Sequence, residues 1–589
     1  MVAGFLLGLG SQWSLSEVIT VLAVTGHRWN SRPGHTTEPD INAIAACRIA
    51  AREQGHSPVK FLINSSLLSC LLALSGPALA AEPFTLDDAA YRRHVQTLAS
   101  DEFEGRAPLS LGEQLTLDYL QQEFKRLGLA PAFGDSFLQS VPMAKITADQ
   151  SMGLKVGELN FANGTDFTAR TQQVVPRVEL KDSELVFAGY GIKAPEYGWD
   201  DYAGVDVKGK TVIVLVNDPG FATQDPALFK GNAMTYYGRW TYKYEEGARQ
   251  GAKAVFIVHE DAPAAYGWGV VKNSNTNTKF TLVDQDNNQS QIGVMGWLQY
   301  AAARQILAGA GLELEALKQE ALKPGFKARS LGLKANLVLN NQIERAESHN
   351  VAAILKGSER PDEALVMHGH WDHLGVAEEA GKKEILNGAV DNASGVAGVL
   401  ELARYFKELE GADRPKRSII FSAFTAEETG LIGAQYFAEH PPVPTAKLVS
   451  FLNIDGMNMD KGVDYILRYG DGVSELESYL SDAAKAQGRS VKPDPRAQNG
   501  LMFRSDHFAL AQQGVPGLLF MSLGDTDPDY IAHKYHKGAD DYSPAWSLEG
   551  VSQDLSLISS ILNRLANNND WPKWLEESDF KKRRARDGR

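Results

Sequence analysis

Apolar positions give the chain two textures. Residues 364–375 read A-L-V-M-H-G-H-W-D-H-L-G, and after a polar connection residues 387–395 read N-G-A-V-D-N-A-S-G. A compact apolar run therefore ends in a cluster of His and Asp. Apolar residues then return at helical spacing in Val396, Val399, Leu400, Leu402 and Phe406. Further strand-like runs cover residues 418–424, 448–454 and 515–521. Short apolar runs alternating with helical patterns predict βαβ units and a parallel sheet. Chemistry-bearing residues recur just past the runs: Glu427 and Glu428 after the second, Asp455 after the third, and His533-Lys534-Tyr535-His536 after the last. In a parallel sheet those ends share one edge, so residues far apart in sequence converge.

Upstream, Asp87 is placed to cap a helix ending near Leu98. A second helix is predicted over residues 112–127, with Leu115, Tyr119, Leu120, Phe124 and Leu127 as its packed stripe. Residues 102–108 read as a loop without evident chemistry. From about 144 to 340 the runs are short and β-like, as at 183–192, 211–216 and 254–258, with a helical pattern over 242–250. No His/Asp cluster with ligand spacing occurs there. Tyr236, Tyr237, Trp240, Tyr242 and Tyr244 read as ordinary packing. This segment is expected to be a module inserted into, or preceding, the catalytic core.

Composition narrows the function. The chain has 589 residues, 43% hydrophobic and 22% charged, with a formal net charge of −14. That acidic balance argues against a nucleic-acid partner, because there is no basic excess to neutralise phosphates. The basic run at 581–586 reads as a solvated tail. Residues 60–80 combine a Lys, an apolar core, a Gly-Pro break and Ala78-Leu79-Ala80, which predicts an export signal cleaved before Ala81. The core is too short and too polar for stable membrane insertion. About sixty residues without clear periodicity precede it, so translation is expected to begin near Val59. The protein is expected to be periplasmic or secreted, and Leu68-Ser69-Cys70 matches a lipoprotein box only faintly. Cys47 and Cys70 are the two cysteines and both precede Ala81, so the mature chain has no disulfide and no thiolate ligand. The expected organisation is a leader over 1–80, an N-terminal peptidase segment over 81–143, an insert over 144–340, a catalytic domain over 341–570 and a charged tail over 571–589.

His370, Asp391, Glu427, Glu428, Asp455 and His536 all fall on loops at strand ends. His and carboxylates are what Zn²⁺ takes when no thiolate is offered. A two-metal hydrolase needs a bridging carboxylate, terminal ligands for each ion and a free carboxylate for the water. The six residues are sufficient for that. His368, His373 and His533 read as supporting or structural residues.

The motifs H-W-D-H-L-G, N-G-A-V-D-N-A-S-G, A-E-E-T-G-L-I-G, N-I-D-G-M and K-Y-H resemble the zinc-dependent aminopeptidase family, which includes bacterial leucyl aminopeptidases and, more distantly, transferrin-receptor-like proteins. The resemblance covers about residues 341–570, with 101–127 similar to the family's N-terminal segment. It implies an α/β fold with a mixed, mostly parallel sheet flanked by helices, of zinc exopeptidase type. The insert more loosely resembles a β-rich protease-associated domain. The resemblance further implies two Zn²⁺, with Co²⁺ or Mn²⁺ as substitutes. His370, Asp391 and Asp455 would hold one ion, and Asp391, Glu428 and His536 the other. Glu427 would be the general base, Asp372 would orient His370, Tyr535 would steady the oxyanion, and the Asp391–Asn392 bond would be cis. The implied substrate is a peptide cut at its amino end. Carboxypeptidase action, another amide hydrolysis and a non-catalytic receptor-like role stay open, as does the oligomeric state.

Overall fold

The computed structural model describes residues 83–379, 381–470, 472–523, 530–576, 578 and 580–581. The expected export signal, the cleavage site at Ala81, Cys47, Cys70 and most of the basic run at 581–586 lie outside them.

Strand Arg417–Ala423 runs parallel to Arg360–His368, which is parallel to Leu448–Asn453, which is parallel to Gly517–Met521. Antiparallel pairings extend both sides of this centre. Tyr465–Tyr469 joins Gly517–Met521, and Arg329–Leu355 joins Arg417–Ala423. The sheet is therefore mixed and mostly parallel at its centre. Its strands alternate between two covered faces. Leu365, Met367, Ile419 and Phe421 pack with Val399, Phe406, Leu555 and Leu562 of helices Gly395–Glu408 and Glu549–Asn567. Val366, Ile420 and Phe451 face Phe437 and Phe508, from helices Ile432–Glu439 and His507–Gln512. Burial on both faces is why these strands read as unbroken apolar runs.

The N-terminal helices cover an edge of the same body. Asp87 accepts the Ala90 N–H at 3.0 Å and caps Asp88–Leu98, and Ser110 caps Leu111–Arg126. A second sheet fills the insert, where Arg177–Phe187, Thr211–Leu215, Ala254–Val258 and Val294–Leu298 pair in parallel. Helices such as Trp240–Arg249 and Tyr300–Gly309 lie between its strands, so it is more α/β than the β-rich module expected. The aromatic group at 236–244 is packed: Tyr236, Tyr237, Tyr242 and Tyr244 are buried, and Tyr236 lies against Phe503 and Phe508 of the catalytic body.

Two sequence boundaries look different in three dimensions. Arg329–Leu355 is one 27-residue strand. Its first half pairs with Arg177–Phe187 and its second with Leu138–Ala148, so residue 340 falls inside a strand common to both sheets. The described residues after 570 also stay on the body. Trp574 is buried and donates its indole N–H to the Gly514 carbonyl at 2.8 Å, and the tilted Phe580 ring lies beside it with centroids 5.1 Å apart. Trp574→Ala is expected to lower stability by about 3–5 kcal/mol through the lost burial and the cavity, read as a shift in the denaturant midpoint.

Candidate metal centre

The strand Arg360–His368 ends beside Ser422 and Asn453 of its two neighbours, so the loops that follow all three open on one edge. Gly369 lets the first loop turn there, since a Cβ would come within 3.2 Å of the Gly395 carbonyl carbon and the Ile454 oxygen. His370 follows, fully buried. Its Nε2 lies 3.3 Å from Asp391 Oδ1 and 3.3 Å from Asp455 Oδ1. His536 reaches the opposite side, with Nε2 at 3.3 Å from Asp391 Oδ2 and 3.1 Å from Glu428 Oε2. Asp391 thus presents one carboxylate oxygen to each histidine.

Asp391 sits in a turn built for that task. The Asp391–Asn392 peptide bond is cis, as the resemblance implies. The Asn392 side chain donates to the Ile454 carbonyl at 2.8 Å and accepts the N–H groups of Gly395 and Gly456 at 3.0 Å each. It therefore ties the turn to the loop carrying Asp455. Gly388 has φ +55°, and a Cβ there would meet the Asp391 carbonyl at 2.3 Å and the His373 ring at 2.5 Å. Only glycine fits that position.

The polar atoms suit a cation. Tetrahedral ligands about 2.05 Å from Zn²⁺ stand about 3.3–3.4 Å from one another, which is the spacing of the His370 and His536 contacts. Among the described residues, two groups could hold an ion: His370, Asp391 and Asp455, and His373, Asp391 and Glu428. His536 Nε2, Glu428 Oε1 and both ring nitrogens of His373 are buried without a hydrogen bond of good geometry. Orphaned groups of this kind are costly unless a ligand satisfies them. His373, expected to be a supporting residue, therefore lies in the second cluster, with Nδ1 2.8 Å from Glu428 Oε1.

The electrostatics follow from carboxylates crowded out of water. Burial disfavours the charged form of His370, but Glu427, Asp391 and Asp455 overcome it and hold the ring well above its usual range. Burial likewise opposes His536, while Asp391 and Glu428 raise it to about 10. Asp391 is driven well below a normal carboxylate, since its two histidines outweigh its burial. Glu427 goes the other way: burial first, then Asp455 and Glu428, raise it well above the usual value against the pull of His370. Its sequence neighbour Glu428 is shifted downward: burial and Asp391 oppose this, but His373 and His536 outweigh them, so the two carboxyls are pushed in opposite directions.

Asp372 does more than the expected orientation of His370. Its carboxylate accepts the backbone N–H of Glu427 at 3.0 Å and of Glu428 at 3.4 Å. The His370 Nδ1 lies 3.1 Å from the Asp372 carbonyl and 3.7 Å from its carboxylate. Tyr535 stacks on His536 with ring centroids 3.8 Å apart. His368 Nε2 pairs with Asp506 at 2.7 Å, away from the two clusters, and His533 is exposed outside both. Sequence reasoning missed two buried residues. Arg106, in the stretch read as featureless loop, donates to the carbonyls of Trp371, Asn387 and Gly388. Asp540 accepts the N–H groups of Val390 and Asp391. A lone Arg before a helix and an Asp in a polar run carry no spacing signal that marks them.

A strand-end cluster of His and carboxylates on a mixed α/β sheet offers the donor set that a metal-dependent hydrolase needs. Residues 350–557 match the sequence profile of peptidase family M28. A probable zinc metalloprotease of Pyrenophora teres f. teres is 40% identical over 114 residues, 19% of this chain and 23% of that protein. A probable glutamate carboxypeptidase of Arabidopsis thaliana is 23% identical over 403 residues, 66% of this chain and 54% of that one. The chain thus spans about a quarter to a half of the length of these relatives. Among solved structures, the aminopeptidase from Aneurinibacillus sp. strain AM-1 is similar at 21% identity and a TM-score of 0.47, over 82% of this chain and 95% of that one.

Gly388→Ala is expected to weaken zinc binding by about 10–100-fold, the range for losing a group that orients a ligand. Chelator competition reads the loss, and an unchanged circular dichroism spectrum assigns it to the turn.

Proposed function

We propose that the protein is an exported two-zinc aminopeptidase, hydrolysing the first peptide bond of peptides with a free amino terminus. One observation carries the two-ion reading: the two oxygens of Asp391 face two histidines on opposite sides. His370, Asp391 and Asp455 would hold one ion, and Asp391, Glu428 and His536 the other. His536 is preferred to His373 because its Nε2 faces both Asp391 and Glu428 at ligand spacing. His373 would act as a charge partner of Glu428, its Nδ1 lying 2.8 Å from Glu428 Oε1. Co²⁺ or Mn²⁺ would suit the same nitrogen and oxygen donors.

When bound, the zinc pair supplies Lewis-acid charge and a water of lowered pKa. The chain's own residues do the rest. Glu427 takes the proton of the attacking water and returns it to the leaving amine, a role suited to a carboxyl whose pKa is pushed upward. Asp372 keeps Glu427 and Glu428 apart by holding both of their backbone N–H groups. The Tyr535 hydroxyl donates to the oxygen that gains charge.

Excess carboxylate around the centre favours a free α-ammonium, which supports amino-end recognition. Arg504 favours a second reading. It is exposed, its charge reaches Tyr535, and a cation there could seat a terminal carboxylate as a carboxypeptidase requires. The inserted module would wall one side of the cleft in the manner of a protease-associated domain. Export rests on the signal pattern at 60–80.

Purified protein is expected to carry about two zinc per chain, and chelation to abolish hydrolysis. Metal analysis showing one ion in fully active protein would sink the two-ion reading. Glu427→Ala should keep both ions and lose about 10²–10⁴-fold in kcat, whereas Glu428→Ala should lose metal. Retained metal in the second and an emptied site in the first would reverse the pair. N-acetylation of a test peptide should sharply lower kcat/KM while C-terminal amidation changes it little. The opposite pattern identifies a carboxypeptidase. N-terminal sequencing of exported protein should begin near Ala81.

A further inference from the structure

We infer that Asp540 and Arg106 are positioning residues that grip the turn 387–391 from its two sides and so fix Asp391 between the two histidines. This rests on the two-ion reading above. The grip is made of backbone contacts. Asp540 Oδ1 accepts the Val390 N–H at 2.9 Å, and Oδ2 accepts the Asp391 N–H at 3.1 Å. The Asp540 carbonyl accepts the Ala389 N–H at 3.1 Å. Three successive amides of the turn are therefore held by one residue. On the other side, Arg106 donates to the Asn387 carbonyl at 2.6 Å and the Gly388 carbonyl at 2.8 Å. Its remaining donors bind the Trp371 carbonyl at 2.9 Å and the Leu98 carbonyl at 2.6 Å.

Both side chains are 1% exposed, and their opposite charges offset one another in the dry interior. Their placement joins the ligands. Asp540 lies four residues past His536, and its Oδ2 also accepts the Tyr530 hydroxyl at 3.1 Å from the start of that loop. Arg106 links the turn to the loop that carries His370. Moving Asp391 against either histidine must break these bonds. A carboxylate is required at 540 because both of its oxygens accept N–H groups. An amide offers one acceptor and would turn an NH₂ toward a second donor.

Asp540→Asn tests this against a control elsewhere in the molecule. Asp201, in the insert, is an equally buried carboxylate that accepts the N–H groups of Tyr190 and Ile192 at 3.0 Å each. Asp540→Asn is expected to lower zinc affinity in chelator competition by about 10–100-fold, and to lower kcat more than it raises KM, with the circular dichroism spectrum unchanged. Asp201→Asn is expected to lower the melting temperature and leave zinc affinity as it was. Zinc affinity within about threefold of wild type in Asp540→Asn overturns the inference, as does equal weakening in both variants. A wild-type chain that takes up no zinc overturns the two-ion reading and this inference with it. If Asp540→Asn does not fold, Tyr530→Phe decides. It removes one bond to Asp540, and zinc affinity should fall by about threefold or more, with no change counting against the grip.

Discussion

The structure depends on one electrostatic constraint. Asp391, Glu427, Glu428, Asp455 and Asp372 converge on buried His370 and half-buried His536, where little water can reach them. Carboxylates so close together repel, and burial removes the solvent that would screen them. The chain answers in three ways. Against its burial, Asp391 is lowered by His370 and His536, and against burial and Asp391, Glu428 is lowered by His373 and His536. Glu427 and Asp372 are pushed toward the protonated form, Asp372 to about 8, by burial first and by neighbouring carboxylates against the pull of His370. Backbone N–H groups meet the lone pairs of Asp372 and Asp540. A fold that spends so many buried groups on a single edge needs stiff loops, and the turns with Gly369, Gly388 and Asn392 provide them.

Much of the architecture is legible in residue patterns because of how the sheet is buried. Strands covered on both faces become continuous apolar runs, so residues 418–424, 448–454 and 515–521 all contain or nearly coincide with observed strands. In the insert, residues 254–258 form the strand Ala254–Val258. The strand Arg329–Leu355 resists such reading. Its middle, N-N-Q-I-E-R-A-E-S-H-N, is polar and half-exposed, so alternation is lost where it passes between the two sheets.

The site was legible where side chains themselves carry the chemistry. His370, Asp391, Glu428, Asp455 and His536 meet because strand ends share an edge, which the pattern anticipates, while the choice of Glu428 over Glu427 and of His536 over His533 as ligands came with the family resemblance. What acts through the backbone was not. Arg106 and Asp540 bind carbonyls and amides, so their importance depends on where loops pass rather than on any spacing. His373 illustrates a subtler limit: H-W-D-H places two histidines three residues apart, but the turn between them decides that each faces a different cluster.

The shared strand has a consequence for how the protein can vary. Side chains of a strand alternate with period two, so inserting one residue flips every position beyond it to the other face. In Arg329–Leu355 a single insertion near residue 340 would keep one sheet in register and invert the other. Length changes between the two sheets are therefore tolerable only in pairs, or outside this strand. The insert and the catalytic body, though each has its own sheet, inherit a common phase.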